Sequence, residues 1–140
     1  RLGDIRERAV TLGDIARIYR AKGEVDAALA LHQEQLEIFE RLGDKDGTAN
    51  TLWSIAQIDM AREQWQAAYD HLSQSYAINK ELGRLDGICY VGFDLGRLLA
   101  MADHKQEALV VLTRSRDGFA RLGHTQMAQR SQEIIDAITK

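Results

Sequence analysis

The sequence predicts an all-α fold, a solenoid of three helical hairpins closed by a C-terminal capping helix. Three observations predict it. The pair Leu-Gly recurs at Leu2-Gly3, Leu42-Gly43, Leu82-Gly83 and Leu122-Gly123, a spacing of 40 residues without slippage. Other columns keep the same beat: Ala28, Ala68 and Ala108; Ile15, Ile55, Leu95 and Ile135; Ile18, Ile58, Leu98 and Ile138; Asp46-Gly47 and Asp86-Gly87. Within each unit the apolar residues follow helical spacing, with no strand-like alternation. One two-helix unit cannot bury its apolar stripe on both sides, and stacking such units does. The chain therefore reads as a single solenoid over 1–140, with units at about 1–40, 41–80 and 81–120 and a half unit at 121–140.

The elements follow in order. A helix over 5–22 carries Leu12, Ile15, Ala16 and Tyr19 at i, i+3, i+4, i+7, and this stripe is taken as its buried side. Gly23 marks a turn into a helix over 24–41, whose stripe is Ala28, Leu29, His32 and Leu36. A helix over 46–62 repeats the first stripe as Leu52, Ile55 and Ala56, and one over 65–82 repeats the second as Ala68, Tyr69, Leu72 and Tyr76. A helix over 86–102 holds Leu95 and Leu98 with Gly92-x-x-x-Gly96, read as a close helix contact in a polar setting and not as a membrane motif. A helix over 104–121 carries Ala108, Leu109 and Leu112. The last helix, over 125–138, has Gln132 and Asp136 interrupting its stripe and reads as a solvated cap. Gly3, Gly43, Gly83 and Gly123 are placed to end helices in the left-handed conformation. Glu63 and Asp103 stand at the phase of Gly23, so two turns must form without glycine. Alanine at 28, 68 and 108 lets the two helices of a unit approach closely, and a larger residue there would overpack.

Composition narrows the function. The 140 residues are 45% hydrophobic and 28% charged with a net charge of −3, the profile of an ordinary globular domain. The acidic balance argues against a nucleic-acid partner. No apolar run is long enough to span a membrane, so no membrane partner and a cytoplasmic location are expected. The charged start without an initiator Met predicts a fragment of a longer protein. One cysteine, Cys89, excludes an internal disulfide and a Cys-based zinc site. It shares its phase with Ala9 and Ala49 and reads as a packing residue, not a catalytic thiol. His32, His71, His104 and His124 form no metal-binding spacing, and His32 lies on an apolar stripe as a structural histidine. No carboxylate pair and no phosphate loop stands out. No enzyme activity, cofactor or metal is expected.

These residues resemble the tetratricopeptide repeat (TPR) family. Unit one carries the pattern as Leu12, Ile15-Ala16, Tyr19, Gly23 and Ala28; unit two as Leu52, Ile55-Ala56 and Ala68, with Trp65 near its second helix; unit three as Leu95-Gly96, Leu99 and Ala108. The 40-residue period, with stretches such as residues 36–44, resembles the longer-helix subclass of spindle-orientation adaptors, kinesin light chains and many bacterial regulators. The departures are Asp59 at an aromatic position and Gly92 at a large apolar one. The resemblance implies a TPR-type α-α superhelical solenoid. It further implies a scaffold or regulatory module for signalling, whose partner is a peptide segment or protein held in a concave groove lined by the first helices.

The helical wheel names the groove side independently. Opposite the first-helix stripe lie Val10, Asp14, Arg17 and Ala21; then Asn50, Ser54, Gln57 and Ala61; then Tyr90, Asp94, Arg97 and Met101; Arg130, Ile134 and Ala137 continue the row, with Arg20, Trp53, Met60 and Phe93 flanking it. The candidate partner-binding residues are Arg17, Arg20, Asn50, Trp53, Gln57, Tyr90, Phe93, Asp94, Arg97 and Met101. Arginine can hold a carboxylate bidentately, Asn and Gln can pair with a peptide backbone, and the aromatic and methionine side chains can seat apolar groups. A structural reading stands beside each. Asp14–Arg17 and Asp94–Arg97 are i, i+3 pairs on their own helices, and Trp53, Tyr90, Phe93 and Met101 can be packing residues. The Arg17 phase holds Arg17, Gln57, Arg97 and Ala137, not the regular Asn of many peptide-binding members, so the family's ligand does not transfer. A second functional class is self-association into a homodimer through exposed solenoid ends.

Overall fold

Amphipathic periodicity without proline or strand patterning yields helices throughout. The computed structural model describes residues 1–140. It contains α1 (Leu2–Ala21), α2 (Val25–Leu42), α3 (Lys45–Ala61), α4 (Trp65–Leu82), α5 (Leu85–Met101), α6 (Lys105–Arg121) and α7 (Thr125–Thr139), and no strand. No helix is long and apolar enough to cross a membrane.

All six turns between helices use one device. The left-handed residues are Gly23, Glu63 and Asp103 between the helices of the same 40-residue unit, and Gly43, Gly83 and Gly123 between successive units or half units. The residue after each sends its N–H back five positions: Glu24 to Tyr19 at 2.9 Å, Asp44 to Phe39 at 3.0 Å, Gln64 to Asp59 at 2.8 Å, Arg84 to Asn79 at 3.0 Å, His104 to Leu99 at 2.9 Å and His124 to Phe119 at 2.8 Å. This is the Schellman pattern, which satisfies the orphan carbonyls of a helix end. Glu63 (φ 59°) and Asp103 (φ 65°) adopt the geometry despite their Cβ atoms. Gly3 departs from expectation. It lies in the first turn of α1 without a positive φ, continuing a helix where the repeat would have it end one.

The chain divides into two compact units, Arg1–Ser75 and Tyr76–Lys140, with the boundary inside α4. In the first, α1 packs on α2 and α2 on α3. Ala16 and Ala28, both fully buried, pack with Ile58, and Tyr19, Val25, Leu29 and Leu31 surround them. Of the stripe read from the sequence, Ala16 is fully buried, Leu12 and Tyr19 are half-buried and Ile15 is exposed, and the other buried residues of α1 are Ala9 and Gly13. Ile15 and Ile18 remain 38% and 56% exposed, whereas Ile55 and Ile58, one period later, are 2% and 1% exposed. Ile58 packs against Ala16 of α1 and Ala28 of α2, which accounts for its burial. Gly13 lets α2 approach, since a Cβ there would lie 2.2 Å from the Gln35 amide nitrogen. Asp44 caps α3 by accepting from Gly47 N–H at 2.9 Å. Asp59, at the aromatic position, is buried and bonded to His71 Nδ1 at 2.6 Å, so a polar pair fills the aromatic's place.

In the second unit α5 packs on α6, and α6 on α7. Cys89, the run from Val91 to Gly96, Leu98 and Leu99 are all buried, so α5 is enclosed over most of its surface. The glycines permit the enclosure: a Cβ on Gly92 would fall 2.5 Å from Ser115 Oγ, and one on Gly96 2.5 Å from Leu112 Cγ. The Gly92-x-x-x-Gly96 spacing is thus a close helix contact with α6. On α7 only Ser131 and Ile135 are buried. Gln132 and Asp136 bond to each other at 2.8 Å on its outer side, and Gln132 also accepts from Arg116 at 2.8 Å.

Candidate partner-binding surface

The first helices carry the candidate residues, and the two units place them differently. In the first unit Arg17 and Arg20 stand exposed on α1. Arg17 is ion-paired with Asp14 one turn back. Arg20 lies in the last turn, where a cation complements the helix dipole. On α3, Asn50 is exposed, while Trp53 and Gln57 are half-buried and held by neighbours.

In the second unit Phe93 and Arg97 line a shaped depression, and Asp94 pairs with Arg97. Phe93 of α5 is 4% exposed, and two guanidinium groups flank its ring: Arg97 at 5.2 Å and Arg130 of α7 at 5.0 Å from the centroid. Cation–π attraction of this kind favours both placements. Phe93, Arg97, Arg130, Glu133, Ile134 and Ala137 line an open depression of about 300 Å³. Arg97 donates from Nη2 to the buried carboxylate of Asp94 at 3.0 Å, as its i, i+3 spacing predicts. Its Nε is buried and makes no hydrogen bond. The hydrogen bond of Arg130 runs to Met127 Sδ at 3.5 Å, a weak acceptor, and no carboxylate pairs with it.

The other α5 candidates lie elsewhere. Tyr90 meets Phe119 edge-on at 4.9 Å and places its hydroxyl 3.2 Å from His124 Nδ1, so it faces the α6–α7 junction. Met101 is 63% exposed at the end of α5 and does not line the depression. Glu133 was not among the expected residues. It sits one turn from Arg130 and could have been found by following the α7 spacing one position off the row.

Groups with chemical potential are buried or scattered. Cys89 is fully buried behind Gly118, and burial pushes its thiol up to about 11, with Asp86 adding to the shift. His32 is buried with Nδ1 3.0 Å from Gln35 Oε1, and burial holds its imidazole below the usual value. No three His, Cys, Asp or Glu side chains are grouped to hold a metal ion.

Comparison with known proteins adds the following. Residues 7–81 match the family described as Tetratricopeptide repeat. No curated protein matches the chain. Among solved structures, the apo form of RapI aligns with a TM-score of 0.87 at 15% identity over 96% of this chain. The nearly identical TPR-like repeats of a kinesin-light-chain-type protein from Podosopora anserina align at 0.63, with 21% identity, over 94% of this chain and 75% of theirs. BtubC (BKLC) from P. vanneervenii aligns at 0.64, with 18% identity, over 94% of this chain and 64% of its own. At these identities the likeness concerns the fold. The chain spans 38% of the length of RapI.

Proposed function

The chain belongs to the tetratricopeptide repeat family, and from that premise we propose that it is a protein-interaction module which takes a peptide segment or partner protein on the faces of its first helices, as a scaffold or regulatory domain. The observation that carries this reading is the depression on the second unit. Arginine, one of the usual hot-spot types, stands there twice, as Arg97 and Arg130, beside the apolar Ile134 and Ala137 at an open surface. Its activity is binding, with no catalytic step.

The test is comparative capture. Partner binding is measured for the native chain, for Arg17→Glu with Arg97→Glu, and for Val110→Glu on the exposed side of α6, where Val110 is 71% exposed. Loss in the double variant with retention in Val110→Glu is the expected result. The reverse pattern overturns the reading.

A second reading is self-association. The exposed apolar residues Leu2, Ile5, Ile15 and Ile18 of α1, at 73%, 42%, 38% and 56%, favour it. A homodimer burying them would show a mass that rises with concentration in light scattering and falls to the monomer value in Ile15→Glu with Ile18→Glu. A monomer mass at all concentrations excludes it.

A further inference from the structure

Two polar side chains stand inside the α1–α2 hairpin where the later repeats hold apolar or small ones. The column of His32 continues as Leu72 and Leu112, and that of Gln35 as Ser75 and Ser115. All six residues are buried. His32 therefore occupies a leucine position at a helix contact. Its neighbours on α2 fix the side it faces. Ala28, one turn before, packs with Ala16 of α1, and the Gln35 amide, one turn after, fills the space that Gly13 of α1 leaves open. The counterpart Leu112 lies against Gly96 of α5, which stands at the phase of Ala16.

A neutral imidazole is satisfied in this place. Its Nδ1 lies 3.0 Å from Gln35 Oε1, and an amide oxygen only accepts, so Nδ1 carries the proton. An imidazolium is not satisfied. The charges that act on the ring are Arg17 and Arg20 of α1, and both repel it. The carboxylates around it are engaged elsewhere: on α2, Glu34 pairs with Arg8 and Glu37 with Arg41. On α3, Lys45 and Asp46 are exposed in the first turn and Asp59 is bonded to His71. A cation buried without a counter-ion is strongly unfavourable.

We propose that the α1–α2 contact is an acid-opened seam: when His32 takes up a proton α1 leaves α2, while the α5–α6 hairpin, with Leu112 in the same place, stays closed. Burial first, and then the two arginines, hold the closed-state imidazole below 6.5. Closure is therefore fully favoured above pH 6.5 and is lost as pH falls through the closed-state value. A helix draws most of its stability from packing, so α1 loses amide protection once it leaves. Opening also takes Arg17 and Arg20 off the docking face. That consequence rests on the proposed function, and the opening itself does not.

Amide hydrogen exchange tests the seam on the native chain at about pH 7.5 and about pH 5, with rates divided by the intrinsic rates at each pH. Protection of the α1 amides is expected to fall by roughly threefold or more between the two. The ceiling is about thirtyfold, the ratio for a group of pKa 6.5 that only the open state protonates at about pH 5. Protection in α5 and α6 stays within about twofold. Two variants remove the imidazole: His32→Leu, the residue of the later repeats, and His32→Gln, which keeps a hydrogen-bonding group beside Gln35. Each variant is compared with itself at the two pH values, so a lower overall stability does not enter, and either suffices if the other does not fold. In both, the acid loss in α1 disappears. The other three histidines are unaltered in these variants, so their share cancels.

Equal loss in α1 and in α5–α6 overturns the seam, as does full α1 protection at about pH 5. So does an acid loss in α1 that persists in a folded variant. Partner capture that is unchanged at about pH 5 while α1 opens overturns the docking role of α1 and leaves the seam standing.

Discussion

At the residue scale, burial decides which side chains keep their ordinary chemistry. Cys89 lies at 0% exposure with its thiol raised to about 11, so almost none of it is thiolate at neutral pH. A thiol-labelling reagent at about pH 7.5 should react with the native chain far more slowly than with the urea-unfolded chain; equal rates would show that Cys89 is accessible. His32 makes a pH prediction. Its pKa is lowered from 6.5, first by burial and then by the charges of Arg17 and Arg20, with the Gln35 hydrogen bond opposing. The folded state therefore takes up this proton less readily than the unfolded chain. The stability linked to His32 is fully present above pH 6.5 and is lost as pH falls from there through the folded-state value. Urea midpoints measured above and below that window should drop in the native chain and drop less in His32→Gln. An identical drop in both would remove His32 as the cause.

At the element scale, the turns show what the repeat demands of its sequence. The left-handed residue recurs at positions 23, 43, 63, 83, 103 and 123, so the helix-plus-turn beat is twenty residues, half the period of the Leu-Gly pairs. Four of the six positions hold glycine. Glu63 and Asp103 hold the same geometry with a side chain, which costs about 1–2 kcal/mol. Glycine loses more chain entropy on folding, which offsets part of that gain. Glu63→Gly and Asp103→Gly should each raise stability by about 0.5–1 kcal/mol, read as a higher urea midpoint with an unchanged slope. A fall in midpoint would mean that these side chains make favourable contacts in the turn. The sequence marked both turns as lacking glycine, but the conformation they adopt depends on the Schellman hydrogen bonds that the flanking helices impose.

At the scale of the whole molecule, position along the repeat outweighs residue type. Ile18 and Ile58 occupy one column and differ in exposure by 56% against 1%. Ile58→Ala should cost about 2–4 kcal/mol, because it opens a cavity against Ala16 and Ala28. Ile18→Ala should cost about 0.5 kcal/mol or less, the range of a surface change. Chemical denaturation of the two variants checks the contrast, and similar costs would mean that something covers α1 in solution. The same logic governs the candidate site. Arg97, Arg130, Ile134 and Ala137 were legible because helical spacing and the repeat period place them on one row, with Phe93 flanking it. Tyr90 and Met101 share that row and lie elsewhere, because Phe119 and His124 draw the Tyr90 ring toward α6–α7 and Met101 falls at the exposed end of its helix.

Periodicity alone therefore determined the helices, their hairpin pairing and the small residues at their contacts, since these follow from local propensity and the spacing of apolar side chains. Only the tertiary structure decided that α1 leaves its isoleucines uncovered, that Asp59 and His71 replace an aromatic, and that two arginines converge on Phe93. Those outcomes depend on which helix lies beside which, and a side chain's burial and partners are properties of the neighbour as much as of its own sequence position.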